Sequence, residues 1–458
     1  MARDVPLTGF DRASTGGRLQ KRRIFALLAH LGLANVYAMR MDLSEAAEPM
    51  QSHYHWSNDE QGYVLSSFFW GYVLSQILGA MMARRWGGKR VFGFGVLGTS
   101  VFTMALPWCA QWLWLLYCVR ALMGLFEAVT YPALLEMLTH WAPAPERATM
   151  VSFCCSGAYV GNALAMPISG AIIGIKKDVS GLSSTWPYAF YTFGAWGCLW
   201  FVLWELFASS TPGQHPTISA EERAYIDATA RADADTVGAH VQVEKSARVP
   251  WIAFIVSPAA WAIYVNHFAF NYGTYTMMTY MPKFLDEVLG MNMKKAGFVS
   301  FLPYLLMAAA GIVGGRAADC FLTLSWPIRL VRIVMQLAGF TCSGVFLVYL
   351  GYLTDNRPLA VTAMTLSIGL SGLTCAGYLP NFQDISPHYA GQLFGVSNTL
   401  SNIAGIIAPI IAGTLLGDAK PSPVENWRKV FYLTAIVYAV AAMVWVSAMQ
   451  AKPVQAVN

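Results

Sequence analysis

Apolar residues occur along this chain in runs long enough to cross a bilayer, separated by short polar breaks, with one long polar interval near the middle. A helix crossing an ~30 Å hydrocarbon core needs about 20 mostly apolar residues. Such windows fall near 24–46, 61–83, 91–110, 112–139, 149–175 and 187–208, and again near 252–284, 296–318, 330–353, 358–380, 389–416 and 428–449. The runs are continuous rather than alternating, which argues for helices and against a closed β-barrel. The pattern predicts an all-α integral membrane protein of twelve transmembrane helices arranged as two six-helix bundles. The N-terminal bundle covers 1–208, a cytoplasmic linker with a short amphipathic helix covers 209–250, and the C-terminal bundle covers 251–458. In the linker, Ser219-Ala-Glu-Glu222 reads as a capping box opening a helix over Ala220–Arg231. Ile226 and Tyr225 would then lie toward the membrane interface, with Glu221, Glu222 and Arg223 toward water.

Composition strengthens this reading. Charged residues make up 12 % of the 458 and hydrophobic ones 56 %, and the mean hydropathy is +0.45. Soluble domains carry about 25 % charged residues, so a solvated surface of normal extent cannot be built. Basic residues gather on one side if both termini are cytoplasmic: Arg3, Arg12, Arg18, Lys21, Arg22 and Arg23 precede the first span, and Arg84, Arg85, Lys89 and Arg90 lie between spans two and three. The opposite side has fewer, among them Lys176, Lys177, Lys283, Lys294 and Lys295. The asymmetry fits the positive-inside rule, and a basic cytoplasmic face accounts for the net charge of +5 without a nucleic-acid partner. The eight cysteines form no C-x-x-C pair and read as small buried hydrophobes. No P-loop, metal-ligand constellation or nucleophile–base pair is present, so the chain reads as neither an ATP-driven pump nor an enzyme, with no cofactor.

The two halves resemble each other. Gly79-Ala-Met-Met-Ala-Arg-Arg85 ends the second span, and Gly315-Arg-Ala-Ala-Asp319 ends the eighth. Small residues four apart recur at Gly71/Ser75, Gly157/Gly161, Gly311/Gly315 and Gly391/Gly395, in spans 2, 5, 8 and 11. Such pairs let helices approach closely in lipid, and two bundles rocking across them would give alternating access.

Charge inside a span is expensive, about 2.5–3.5 kcal/mol on insertion scales, so each instance needs a reason. Arg40 shares a face of span 1 with Tyr37 and Ser44. Arg120 and Glu127 lie seven apart on one face of span 4, about 10.5 Å along the axis. An arginine facing a cavity can grip an oxyanion with its planar fork; the alternative is a structural ion pair, Arg120 with Glu127 or Arg40 with Asp42. Asp42 reads as a solvated end residue near the outer surface, and Glu136 as an interfacial charge. In span 7, His267, Asn271 and Tyr275 form a polar stripe, with His267 read as a packing residue and Asn271 as a cavity residue. Asn398 offers a polar contact from the second half.

Several motifs resemble the anion:cation symporter family of the major facilitator superfamily. They are Ser66-Ser-Phe-Phe-Trp-Gly-Tyr-Val-Leu-Ser-Gln76, Gly87-Gly-Lys-Arg-Val91, Gly124-Leu-Phe-Glu-Ala-Val-Thr-Tyr-Pro-Ala133, Trp141-Ala-Pro-Ala-Pro-Glu-Arg147, His215-Pro-Thr-Ile-Ser219, Asn271-Tyr-Gly-Thr-Tyr275, Asn381-Phe-Gln-Asp-Ile-Ser-Pro-His-Tyr-Ala-Gly391 and Gly395-Val-Ser-Asn-Thr399. The resemblance extends over essentially the whole chain. It implies a central anion site between two bundles and cation-coupled transport. Tyr37, Arg40, Tyr72 and Asn398 match its substrate positions, and Arg120 and Glu127 its paired span-4 residues, with Glu127 at the proton-coupling place. The chain departs from the family at Met39, where bacterial members have an acidic residue, and at Leu65 and Phe270, where the vesicular glutamate carriers have His and Arg.

The combined expectation is a secondary active transporter of an inorganic or organic anion, phosphate or a carboxylate such as a sugar acid. It is coupled to H⁺ or Na⁺ and works as a monomer in the lipid bilayer of the plasma membrane or of an organelle or vesicle. The candidate substrate-binding residues are Arg40, Arg120, Tyr37, Tyr72, Asn271, Tyr275 and Asn398, with Glu127 for proton coupling through competition for Arg120. An anion channel, or a uniporter or receptor on the same scaffold, is the alternative. Two buried arginines argue against a cation or a neutral sugar as cargo.

Overall fold

The computed structural model describes residues 20–143, 147–174, 185–229, 251–353, 355–386, 390–417 and 423–452. Among these, the elements in the first part are α1 (Lys21–Tyr54), α2 (Asn58–Trp86), α3 (Gly88–Cys109), α4 (Leu113–Ala128), α5 (Thr130–Trp141), α6 (Arg147–Ile173) and α7 (Trp186–Phe207). The linker contributes α8 over 220–229. The remainder are α9 (Trp251–Val256), α10 (Pro258–Glu287), α11 (Met293–Thr323), α12 (Ile328–Leu350), α13 (Arg357–Leu370), α14 (Tyr378–Ile385), α15 (Ala390–Asn402), α16 (Ala404–Leu416) and α17 (Pro423–Ala448). No strand occurs among the described residues. The basic residues Arg3, Arg12, Arg18, Lys176, Lys177, Arg231, Lys245, Arg248 and Lys420 lie outside them.

Among the described residues, nine helical stretches are long and apolar enough to cross a membrane. Helices α2, α6 and α10, of 29, 27 and 30 residues, have the length as well. These three are more polar for a reason visible in the packing. Helices α1–α7 pack among themselves, α1 on α6, α2 on α4 and α3 on α7, while α10 packs on α17 and α11 and α12 on α13. The two groups meet where α2 lies on α16, α6 on α11 and α10 on α1. There polar side chains face protein instead of lipid.

Four expected spans are interrupted. The seventh breaks near its start at Ser257, between α9 and α10. The fourth breaks at Val129, two residues after Glu127; the tenth passes through a 3₁₀ segment, Ser371–Ala376, between α13 and α14; the eleventh breaks at Ile403. The freed backbone groups find local partners: Thr130 Oγ1 donates to the Glu127 carbonyl at 2.6 Å. Such breaks are tolerated in a membrane when the irregular backbone is buried in protein.

The small-residue pairs do not act alike. Methyl groups on Gly157 and Gly161 would collide with the His30 and Ala34 carbonyls of α1, and one on Gly71 with the Ala121 carbonyl of α4, all within the first group. Close approach between the groups occurs elsewhere: Gly62 on the Pro409 carbonyl, Gly413 on that of Asn58, and Gly297 on that of Met166. Gly315 and Gly395 have nothing within 4 Å of the added carbon.

The linker helix docks on the first group. Ser219 Oγ accepts from the Glu222 backbone N–H at 3.1 Å, as the capping pattern requires. The Glu222 carboxylate, expected to face water, is buried instead, accepting from the backbone N–H groups of Lys21 and Arg22 at 3.0 Å each. The first N–H groups of a helix lack intrahelical acceptors, so this carboxylate supplies α1 with a cap from outside its own chain segment. Ile226 is buried beneath it rather than facing the membrane interface. Nearby, Trp141 Nε1 donates to the Ser209 carbonyl and stacks edge-on with His215. Trp204 Nε1 donates to the Lys89 carbonyl. Three motifs that lie far apart in sequence thus converge at one end of the molecule.

Candidate functional site

Glycine sets the geometry of the centre. A Cβ on Gly124 of α4 would fall well inside contact distance of the Phe68 carbonyl on α2, so only glycine lets these backbones touch. Gly124 lies between Arg120 and Glu127, and its contact brings both against the aromatic run of α2. Ser75 Oγ ties the same helices by donating to the Leu125 carbonyl at 3.0 Å.

From α1, Arg40 enters this space, 6 % exposed, and its guanidinium is surrounded by ring faces. Its central carbon lies 4.6 Å from the Phe69 ring centroid, 4.9 Å from Phe68, 5.1 Å from Tyr275, 5.3 Å from Tyr72 and 5.8 Å from Tyr37. Arg120, 3 % exposed, stands 5.1 Å from the Phe68 ring. One phenyl ring therefore lies against both guanidiniums. The single carboxylate among them is Glu127, 1 % exposed, with Oε1 3.8 Å from Arg40 Nη1.

The pairing differs from the expected one: Glu127 pairs with Arg40 of α1, not with Arg120 on its own helix. Seven residues of rise separate Glu127 from Arg120, whereas Arg40 crosses from the neighbouring helix at the right level. At 3.8 Å the pair is an ion contact without a hydrogen bond. Arg40 Nη2, Arg120 Nε and Nη1, and both Glu127 carboxylate oxygens are buried without a hydrogen-bond partner. A buried polar group left unsatisfied costs roughly 1–3 kcal/mol, and these donors suit a ligand rich in oxygen.

The remaining candidates lie beside it. Tyr275 faces Arg40 and donates to Asn402 Oδ1 at 2.8 Å. Asn271 lies in the seam between α10 and α15, its amide donating to Ser401 Oγ at 3.0 Å, and His267 Nδ1 lies 2.9 Å from Ser397 Oγ one turn away. Asn398 reaches across the two groups and donates to Gln76 Oε1 at 3.0 Å. Phe68, Phe69, Gln76 and Asn402 escaped the sequence reading; the aromatic run Ser66–Tyr72 was the available signal for the first two.

Asp42 is not an end residue. Helix α1 continues for 34 residues, to Tyr54, so Asp42 sits mid-helix, fully buried, accepting from Ser169 Oγ at 2.7 Å. Nor is Lys283 a loop cation. It is 4 % exposed and donates to Gln51 Oε1, Asn58 Oδ1 and Gln61 Oε1 at 2.6, 2.6 and 2.7 Å, with Glu48 and Glu287 oxygens at 3.7 and 3.6 Å. This cluster joins α10 to α1 and α2, beside Asn58, whose amide also donates to the Gly417 carbonyl. No group of three or more His, Cys, Asp or Glu side chains able to hold a metal occurs among the described residues.

Comparison with known proteins agrees with this architecture. A sequence model of the Major Facilitator Superfamily matches residues 31–409. The chain is 36 % identical over 445 residues to sialin of Homo sapiens, covering 90 % of this chain and 86 % of that protein. It is 34 % identical over 426 residues to sodium-dependent phosphate transport protein 1, chloroplastic, of Arabidopsis thaliana, covering 93 % and 78 %. Among solved structures it is similar to a bacterial homologue of the human lysosomal transporter Spinster, in an inward-facing and occupied conformation. That similarity has a TM-score of 0.74 and 17 % identity over 94 % of this chain and 97 % of the other.

Proposed function

We infer the function of this chain from where it belongs: it is a multi-pass membrane protein of the Major Facilitator Superfamily and, within it, of the anion:cation symporter family, and it is not an enzyme. Within that class, the reading its centre supports best is a secondary active carrier of an anion, phosphate or a carboxylate such as a sugar acid, coupled to H⁺ or Na⁺. The supporting observation is a pair of buried arginines with unused N–H donors facing one carboxylate. Two cations against one anion leave room for a negative charge, and the free donors match the oxygens of a phosphate or carboxylate.

The mechanism follows from Glu127. While ionised it holds Arg40 and competes with an incoming anion. Once protonated, it releases Arg40, and anion and proton are then bound together. Tyr37, Tyr72 and Tyr275 keep Arg40 in place. Asn398 and Asn271 act beside the cargo: Asn398 joins the groups through Gln76, and Asn271 fixes α15 to α10.

Alternating access would come from twelve spans moving as two six-helix bundles, 1–208 and 251–458, with the 209–250 linker between them and the protein acting as a monomer. The Lys283 cluster closes one end of their interface, while Gly315 and Gly395 stand clear of neighbours toward the other. With both termini cytoplasmic, the closed end is the outer face and the state is inward-facing. The membrane is the plasma membrane or that of an organelle or vesicle.

The test is uptake into proteoliposomes of labelled phosphate and carboxylates under imposed H⁺ and Na⁺ gradients. Glu127→Gln should abolish accumulation driven by a pH gradient and leave exchange of the same anion largely intact. Accumulation at the wild-type rate in that variant overturns the coupling role.

A further inference from the structure

The central site uses one buried carboxylate, yet α1 holds two more, and neither is paired with a cation. Asp42 and Glu45 are both fully buried and lie one turn apart on the same helix face. Asp42 Oδ1 takes the Ser169 hydroxyl of α6, but Asp42 Oδ2 and both Glu45 oxygens have no hydrogen-bond partner. Neither acid forms an ion pair among the described residues. Tyr304 of α11, 8 % exposed, also has an unpartnered hydroxyl, and it lies within electrostatic range of Glu45.

Two ionised carboxylates in this setting are physically untenable. Removing each charge from water costs several kcal/mol even after relaxation, and mutual repulsion adds to it at low dielectric. The charged and titratable surroundings are few. Arg120 of α4 acts on Asp42 from a distance, α6 offers the neutral Ser169, and α11 offers Tyr304. Lys283 of α10 is already occupied by Glu48, Glu287 and three amide oxygens. The missing positive charge must therefore be bound from solution.

We propose that Asp42, Glu45, Ser169 and Tyr304 form a second cation site, separate from Glu127, and that in this conformation it holds a proton on Glu45. Three carboxylate oxygens and one hydroxyl lack partners here, and a proton on Glu45 turns one of those acceptors into a donor. Asp42 and Ser169 belong to one helix group and Tyr304 to the other, and α6 and α11 are where the groups meet. The site is complete only while those helices touch, so its affinity for the proton differs between conformations. A ligand that binds two states unequally shifts their balance, and this gives the site a part in coupling. Only that part rests on the carrier reading; the protonation itself can be read with no transport at all.

The experiment is infrared difference spectroscopy on purified full-length protein near neutral pH, following the C=O stretch of protonated carboxyl groups. Glu45→Gln should remove one such band, distinct from any lost in Glu127→Gln. Tyr304→Phe should shift the Glu45 band without removing it. An unchanged protonated-carboxyl spectrum in Glu45→Gln overturns the proposal. A band that appears only when Na⁺ is withdrawn overturns the proton assignment, because sodium would then be the occupant. If Glu45→Gln fails to fold, Asp42→Asn with the Tyr304→Phe shift decides the same question. Wild-type gradient-driven transport in Glu45→Gln, with the band pattern as expected, would overturn the part in coupling and leave the protonated site standing.

Discussion

Two of the buried cationic centres between the helices of this molecule are satisfied in opposite ways. Lys283 is saturated: three amide oxygens lie within 2.7 Å of its ammonium, and two carboxylates stand just beyond. Arg40 and Arg120 are held by the faces of rings, with one carboxylate at ion-pair distance and several N–H groups unused. An oxygen acceptor consumes a donor of the cation it binds. An aromatic face attracts the charge and leaves the donors free. The first arrangement makes a clamp between α10 and α1–α2, and the second makes a receptor.

If that distinction is right, the arginine centre should tolerate no loss of donor geometry. Arg120→Lys keeps the positive charge and removes the planar fork. Truncating one partner of a buried, hydrogen-bonded charge pair costs about 2–5 kcal/mol. Exchange of whichever labelled anion the wild type carries should fall by about a hundredfold or more, with thermal stability in detergent little changed. Exchange within a few-fold of wild type would mean that Arg120 is structural and the comparison fails.

The clamp should respond in its conformation rather than in its affinity. Lys283→Ala leaves Glu48 and Glu287 facing each other and takes a donor from three amide oxygens, of which Asn58 Oδ1 keeps the Gln51 amide. Breaking a buried pair costs about 3–5 kcal/mol, and the partly exposed carboxylates put this case at the low end. About 3 kcal/mol shifts a two-state balance by roughly a hundredfold. A cysteine in place of Val64, one turn from Gln61 on α2 and 0 % exposed, should be protected from a membrane-impermeant maleimide in a cysteine-free background and labelled once Lys283→Ala is added. Continued protection would show that Lys283 does not hold this end closed.

Much of the receptor was legible in the sequence and almost none of the clamp. With 12 % charged residues, an ionisable group in mid-span is conspicuous, and Arg40, Arg120 and Glu127 stood out for that reason. Which arginine pairs with Glu127 was not legible, because spacing on one helix says nothing about what a neighbouring helix brings alongside. The clamp and the Asp42–Glu45 pair were hidden by one assumption, that a charged residue near the end of an apolar window, Asp42 in 24–46 or Lys283 in 252–284, lies at the membrane surface. Helix α1 runs to 34 residues and α10 to 30, so residues assigned to the membrane surface are enclosed where the two groups of helices press together. The breaks at Val129, Ser371–Ala376 and Ile403 were also unread, although Pro132, Gly372 and Gly405 lie in or just after them, because glycine and proline are common in membrane helices that do not break.

The finest test of the comparison is Phe68, the ring shared by the two arginines. Phe68→Leu keeps an apolar side chain of similar reach and leaves the backbone carbonyl against which Gly124 packs. What it removes is the ring face, 4.9 Å from Arg40 and 5.1 Å from Arg120. A cation–π contact is worth about 0.5–1 kcal/mol when exposed and about 2 when desolvated, so the apparent affinity for the transported anion should weaken several-fold. The maximal rate should fall less, because every hydrogen-bond donor survives. The equivalent subtraction at Lys283, Gln61→Leu, takes away an acceptor instead. It should leave anion affinity unchanged while raising accessibility at the clamped end. A substitution at Phe68 that altered accessibility, or one at Gln61 that altered affinity, would dissolve the distinction between receptor and clamp, because the two centres would then be one coupled network.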